Sequence, residues 1–293
     1  LIQLFGQCKW TTLVVENTLC PKATLEVTVA DEHSNGSEKH SGIRKLINAG
    51  AEIAGGAIGG ALGFLAAGPV GAAALGAGGA VAAAALKHIG EEASERLLGP
   101  REKVRVGGVL ALTAAEVQQR VQQGESVRTD GFFDAPHNGR SDGEEVAESV
   151  LLKSQREVEE RKLPYMAHLF TSIAFDPTIS AYMAHQLLKA AEQLTFRQLC
   201  LLRIGAIRGQ LGLRATDYRS HGSFDKELYQ VLYECHDLYN RGFVAFGGSA
   251  GFGPTDVVPA QMNPQGVGAD LHNTMKLALI PMEQLQPIAA RLR

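Results

Sequence analysis

Cysteine and tryptophan are scarce in this chain: its 293 residues include 4 cysteines and 1 tryptophan, and aromatic residues make up 6%. Cys8, Cys20, Cys200 and Cys235 are too few and too scattered for a small disulfide-stapled scaffold. Neither sign of charge dominates. The 28 Lys+Arg set against 31 Asp+Glu leave a net charge of -3, so no global basic field invites nucleic acid. No positively charged leader with an apolar core and a small-residue cleavage site precedes the cysteines, and a reducing cytoplasm is the expected setting. A hydrophobic share of 45% and a charged share of 20% exclude a generally disordered chain. Glycine is in excess, at 33 residues, and the excess is concentrated in one place.

That place is Ile53 to Leu86, 34 residues without a charge, of which 14 are Ala and 10 are Gly. Upstream, residues 1–42 read as a short β-rich extension followed by the polar linker DEHSNGSEKHSG. Within the uncharged stretch Gly55, Gly59 and Gly63 recur every four residues, as do Gly56 and Gly60, which lays two glycine ridges along one helix where another backbone can approach closely. Gly68-Pro69 then supplies a turn, since proline fits the first turn of a following helix. The spacing predicts a helical hairpin over 43–98. Its uncharged arms of 15 and 17 residues reach about 22 and 26 Å, short of a hydrocarbon core of about 30 Å. Two readings compete for it: a hairpin that associates with membrane, and a hairpin buried in a helical assembly. A phosphate-binding loop is excluded because the stretch has no Lys, Ser or Thr.

A helical body is expected over 99–222. Gly99-Pro100 marks a helix boundary, and Arg101 to about Gln123 carries apolar residues at helical spacing. Residues 124–143 are a loop by composition, with Phe132 and Phe133 placed to plug it onto the core. Asp130, Asp134, His137 and Asp142 in that loop match neither a hydrolase triad nor a calcium loop, and His88 with Glu92 is the pair expected of any charged flank. Helices follow over PYMAHLFTSIAF, TISAYMAHQLLKAAEQL and FRQLCLLRIGAIRG, the last capped by Thr195 with Gln198 in capping-box position. The tetrapeptide YMAH occurs twice, so His168 and His185 could meet only if their helices pair in one register.

Residues 223–293 read as helix, strand, loop, strand, helix: FDKELYQVLYECHDLYNRG, then FVAF, then the glycine-rich GGSAGFGPTDVV, then MKLALI, then MEQLQPIAARL. That order is winged-helix-like. Glu227, Glu234 and Asp237 make its best-defined helix acidic, which favours a protein-interaction module over a reader of DNA. Ser249 in GGSAG is turn chemistry without an elbow setting.

The stretch KLPYMAHLFTSIAFDPTISAYMAHQLLKAAEQLTFRQLCLLRI, with its winged-helix-like continuation, resembles bacterial proteins of phage abortive infection, the Abi-alpha type. The features that carry the resemblance are Asp176-Pro177 and Leu194-Thr195, over about residues 144–292. It implies a bacterial, helical defence protein and brings no catalytic residue with it.

The expected fold is therefore mainly α: a glycine-rich helical hairpin, a helical body and a C-terminal winged-helix-like α/β unit. No catalytic, cofactor-binding or metal-binding residue emerges, since none of the motifs meets the geometry of acid–base, nucleophilic or metal chemistry. The leading functional expectation is a nonenzymatic bacterial defence or stress effector, cytoplasmic or inserted at the inner membrane, whose partners are membrane lipids or partner helices. Hairpin packing falls to Gly55, Gly56, Gly59, Gly60 and Gly63 and the turn to Gly68 and Pro69; a homo-oligomer is expected. The competing expectation is a soluble oligomeric scaffold or sensor with the hairpin buried in protein.

Overall fold

The computed structural model describes residues 84–85, 87–90, 92, 98–136, 139–220, 222–247 and 253–293. Residues 84–85, 87–90 and 92 are helical. The helices that follow are α1 (Pro100–Gln122), α2 (Asp142–Arg156), α3 (Leu163–Phe175), α4 (Ala181–Gln193), α5 (Phe196–Ala206) and α6 (Lys226–Asn240). Strands β1 (Val244–Phe246) and β2 (Met262–Pro264), then α7 (Val267–Thr274) and α8 (Met282–Arg291), complete the chain. The fold is mainly helical, with a small open sheet near the C-terminus in which Val244, Ala245 and Phe246 pair antiparallel with Pro264, Asn263 and Met262.

Local chemistry explains where these helices start. Pro100 opens α1 at a position whose N–H would have no helical partner, and Glu102 accepts the Gly99 N–H at 2.7 Å. Thr195 and Gln198 form a reciprocal capping box on α5, as the spacing predicts, and the structure adds another on α2 between Ser141 and Glu144. Ser180 caps α4 and Asp225 caps α6, its carboxylate accepting from Leu228 N–H at 2.8 Å. Asp176 accepts from Thr178 N–H in the turn after α3, and Thr195 is the α5 cap.

The helices pack through one hydrophobic cluster. Helix α1 lies against α2 and α3, α2 against α4, and α5 is enclosed by α6, α7, α8 and β2. Phe132 and Phe133 are buried edge to face and close the 124–143 loop onto this core, as expected. Gly143 is required there, because a Cβ on it would stand 2.3 Å from the Phe133 ring.

Two expectations are corrected. MKLALI is not a strand: Lys276 takes a left-handed conformation (φ 50, ψ 46) after α7, and Leu277–Leu279 form a 3-10 turn. Leu277 and Ile280 are buried while Ala278 and Leu279 are exposed, so the burial period is three rather than two. The partner of β1 is instead the MNP segment at 262–264. The second correction concerns the membrane. Among the described residues no helix is long and apolar enough to cross one. Helix α1 has 23 residues but carries Arg101, Glu102, Lys103, Arg105, Glu116 and Arg120; the apolar α3 has only 13, about 20 Å. Association with membrane lipids, inner-membrane placement and the membrane-active glycine zipper are withdrawn on this ground. Gly55, Gly56, Gly59, Gly60, Gly63, Gly68 and Pro69 lie outside the described residues.

Candidate functional site: a cleft organised by Glu116

Glu116 is a lone carboxylate in the apolar middle of α1, within GGVLALTAAEVQQ. Leu112, Ala115, Glu116, Gln119, Arg120 and Gln123 fall at steps of three and four, which puts them on one helix face. That face forms one wall of a cleft of about 380 Å³; Pro164 and His168, one turn apart on α3, form another, and Lys276 and Leu279 close it after α7.

Glu116 joins the three walls. Its Oε2 lies 2.5 Å from His168 Nδ1 and its Oε1 2.5 Å from Lys276 Nζ. Burial works to raise the Glu116 carboxyl, but the His168 hydrogen bond and the charges of His168 and Lys276 outweigh it and hold the group below its ordinary value. An ionised carboxylate only accepts, so His168 Nδ1 carries the proton and Nε2 is the ring nitrogen left for other chemistry. Beside this junction Arg120 donates to Glu125 Oε2 from Nε at 2.9 Å and from Nη2 at 2.5 Å. The same guanidinium stacks 4.1 Å from the centre of the Phe175 ring, which fixes its plane.

Lys276 is the only non-glycine residue with positive φ among the described residues. A lysine there carries backbone strain, and its side chain reaches Glu116 from that position. The cleft lining contains no serine, threonine or cysteine, so the site offers charge, hydrogen bonds and an apolar wall rather than a hydroxyl or thiol nucleophile. Cys200 and Cys235 are buried and free; burial pushes the Cys200 thiol up to about 12 and raises Cys235 as well, which leaves both inert.

The residues weighed from sequence stand apart. His168 reaches Glu116 on α1, whereas His185 faces Glu145 at 4.0 Å, so the two YMAH histidines serve different partners. His88 lies 4.0 Å from Glu92 and 3.4 Å from Glu144, and Asp130 is paired with Arg128. Among the described residues no group of three or more His, Cys, Asp or Glu could hold a metal ion. The sequence reading missed the Glu116 junction because its partners stand 52 and 160 residues away. The isolated carboxylate inside an apolar run was the one available signal.

The pH dependence follows from the direction of the Glu116 shift. A carboxyl held below its ordinary value in the folded chain adds stability above the unfolded value and loses it as pH falls through the folded one. Glu116→Gln is expected to cost about 1–3 kcal/mol at pH 7. Thermal melts should show the gap from wild type narrowing below about pH 4; a gap that widens on acidification would contradict the assignment.

Comparison of the chain with protein-family models, curated proteins and solved structures finds no match.

Proposed function

We propose that this chain is a nonenzymatic helical scaffold or sensor that works through self-association, with its glycine- and alanine-rich arm covered by protein. The observation that carries this reading is the state of the arm where it is described. Ala85 is 6% exposed and Ile89 2%, and both belong to the core cluster shared with the helical body. Polar contacts hold the same stretch to α2: His88 lies 3.4 Å from Glu144, and Arg140 bridges Glu92 at 2.6 Å and Glu148 in ion pairs. A small-residue arm whose end is packed into a core supports continued packing against protein, because closely approaching backbones need partner helices to fill the space.

The C-terminal unit supports an interaction role. We read α6, β1, β2 and α8 as winged-helix-like, with α7 and a 3-10 turn set between the second strand and the last helix. Two of the acidic residues of α6 are engaged by α5: Arg197 grips Glu234 through two hydrogen bonds, at 2.6 and 2.7 Å, and Gln198 donates to Asp237 at 2.8 Å. That engagement favours protein packing over a groove in DNA. Membership of the Abi-alpha type would set this scaffold in phage defence, a placement supported by the helix–turn–helix layout around Asp176-Pro177 and Leu194-Thr195 alone. The cleft at Glu116 is where a sensor of this build would take its signal.

Sedimentation velocity tests the reading. The chain, 31.2 kDa as a monomer, is expected to form a discrete larger species whose population grows with concentration. A single species of monomer mass across the whole concentration range would overturn it.

A further inference from the structure

We propose that the Glu116 cleft binds a small organic anion, a carboxylate carried on an apolar body. The inference rests on the sensor reading and gives the chemistry of its input.

The polar groups of the cleft are unequally committed. Both Glu116 oxygens are taken, by His168 and Lys276, and Glu125 Oε2 is taken by two nitrogens of Arg120. Each oxygen of Glu116, the carboxylate that joins the walls, thus already has a cationic or N–H partner. Lys276 is not spent: its ammonium has three N–H groups and gives one to Glu116, its side chain is 35% exposed, and the amides of Gln119 and Gln123, which donate as well as accept, stand along the same wall. A ligand entering this cleft therefore meets unspent donors, which suits an oxyanion and disfavours a cation. Leu112, Ala115, Pro164 and Leu279 line the remainder, and Leu279 is 58% exposed at the mouth, an apolar side chain that an apolar ligand would cover. The volume, about 380 Å³, is in the range of small-molecule sites. Lys276 supplies a further argument. Its left-handed backbone is a conformation that asparagine or glycine would adopt at lower cost, yet a lysine stands there with its ammonium in the cleft.

Three probes of one shape separate the charge states: benzoate, benzamide and benzamidine, titrated into the full chain by calorimetry. Benzoate is expected to bind at least about tenfold more tightly than either of the others. Lys276→Asn is the variant of choice because asparagine tolerates the left-handed region, and a cooperative thermal melt is the check that the fold is kept. It should erase the benzoate preference. Equal binding of the three probes, a preference for benzamidine, or a benzoate preference that survives in Lys276→Asn would each overturn the proposal. Sedimentation separates this from the broader reading: loss of the benzoate preference with self-association intact removes the anion site alone, and monomeric protein that still prefers benzoate removes the scaffold alone.

Discussion

Glu157→Ala is expected to be the most damaging single change among the ion pairs described, at roughly 3–5 kcal/mol and a fall in Tm on the order of 10 °C. Lys162 is the reason. It sits between α2 and α3, is 1% exposed, and places its ammonium 2.5 Å from Glu157 Oε2 and 3.3 Å from the Glu192 carbonyl. Removing the carboxylate leaves a buried cation with one neutral acceptor, and solvent cannot reach it to compensate. The double variant Glu157→Ala with Lys162→Met separates this cause from simple loss of packing. A methionine fills a similar volume without a charge, so the pair should return to within about 1 kcal/mol of wild type. Chemical denaturation of the two variants reads the difference, and a double variant as unstable as the single one would assign the cost to lost contacts.

Much of the helical layout was legible in the sequence, because it is written in local chemistry. Gly99-Pro100 before an apolar-periodic run, Thr195 three residues ahead of Gln198, and Gly242 after the last turn of α6, where φ is +73, each fix a helix end through groups within a few residues of one another. The loop anchored by Phe132 and Phe133 was legible for the same reason, two aromatics in an otherwise polar segment.

The C-terminal unit was legible only in outline. An apolar run of six residues, MKLALI, suits a strand and a 3-10 turn equally well in sequence, and tertiary packing of Leu277 and Ile280 decided between them. Helix α7 was missed for a related reason: its approach to Phe243, just before β1, requires Gly268, where a Cβ would stand 2.0 Å from the Phe243 carbonyl oxygen, and a glycine in sequence reads as a breaker. The Glu116 junction was not legible at all. Helical periodicity places Glu116 on the same face as Leu112 and Arg120, but it contains nothing about His168 or Lys276, which arrive through the stacking of α3 on α1 and the turn after α7.

The membrane expectation failed on an instructive point. A charge gap with small residues every four positions describes close helix packing in lipid and in protein equally, since the steric requirement is the same. What distinguishes them is the environment around the large anchors. Ala85 is 6% and Ile89 2% exposed within the core of the helical body, so protein surrounds the chain at these described residues.

The central claim, that the small-residue arm is covered by protein, is tested most directly at two adjacent alanines. Ala84 is exposed and Ala85 is 6% exposed on the same helical turn. Arginine at 85 would bury a cation or force the arm off the body, a cost of roughly 3 kcal/mol or more, which for a chain of this size lowers Tm by roughly 6–10 °C. Arginine at 84 reaches water and should leave Tm within about 1 °C of wild type. Differential scanning calorimetry of the full-length variants gives the answer: a large drop for Ala85→Arg beside a wild-type melt for Ala84→Arg is the result expected of a covered arm, and two variants that melt together with the wild type would contradict it.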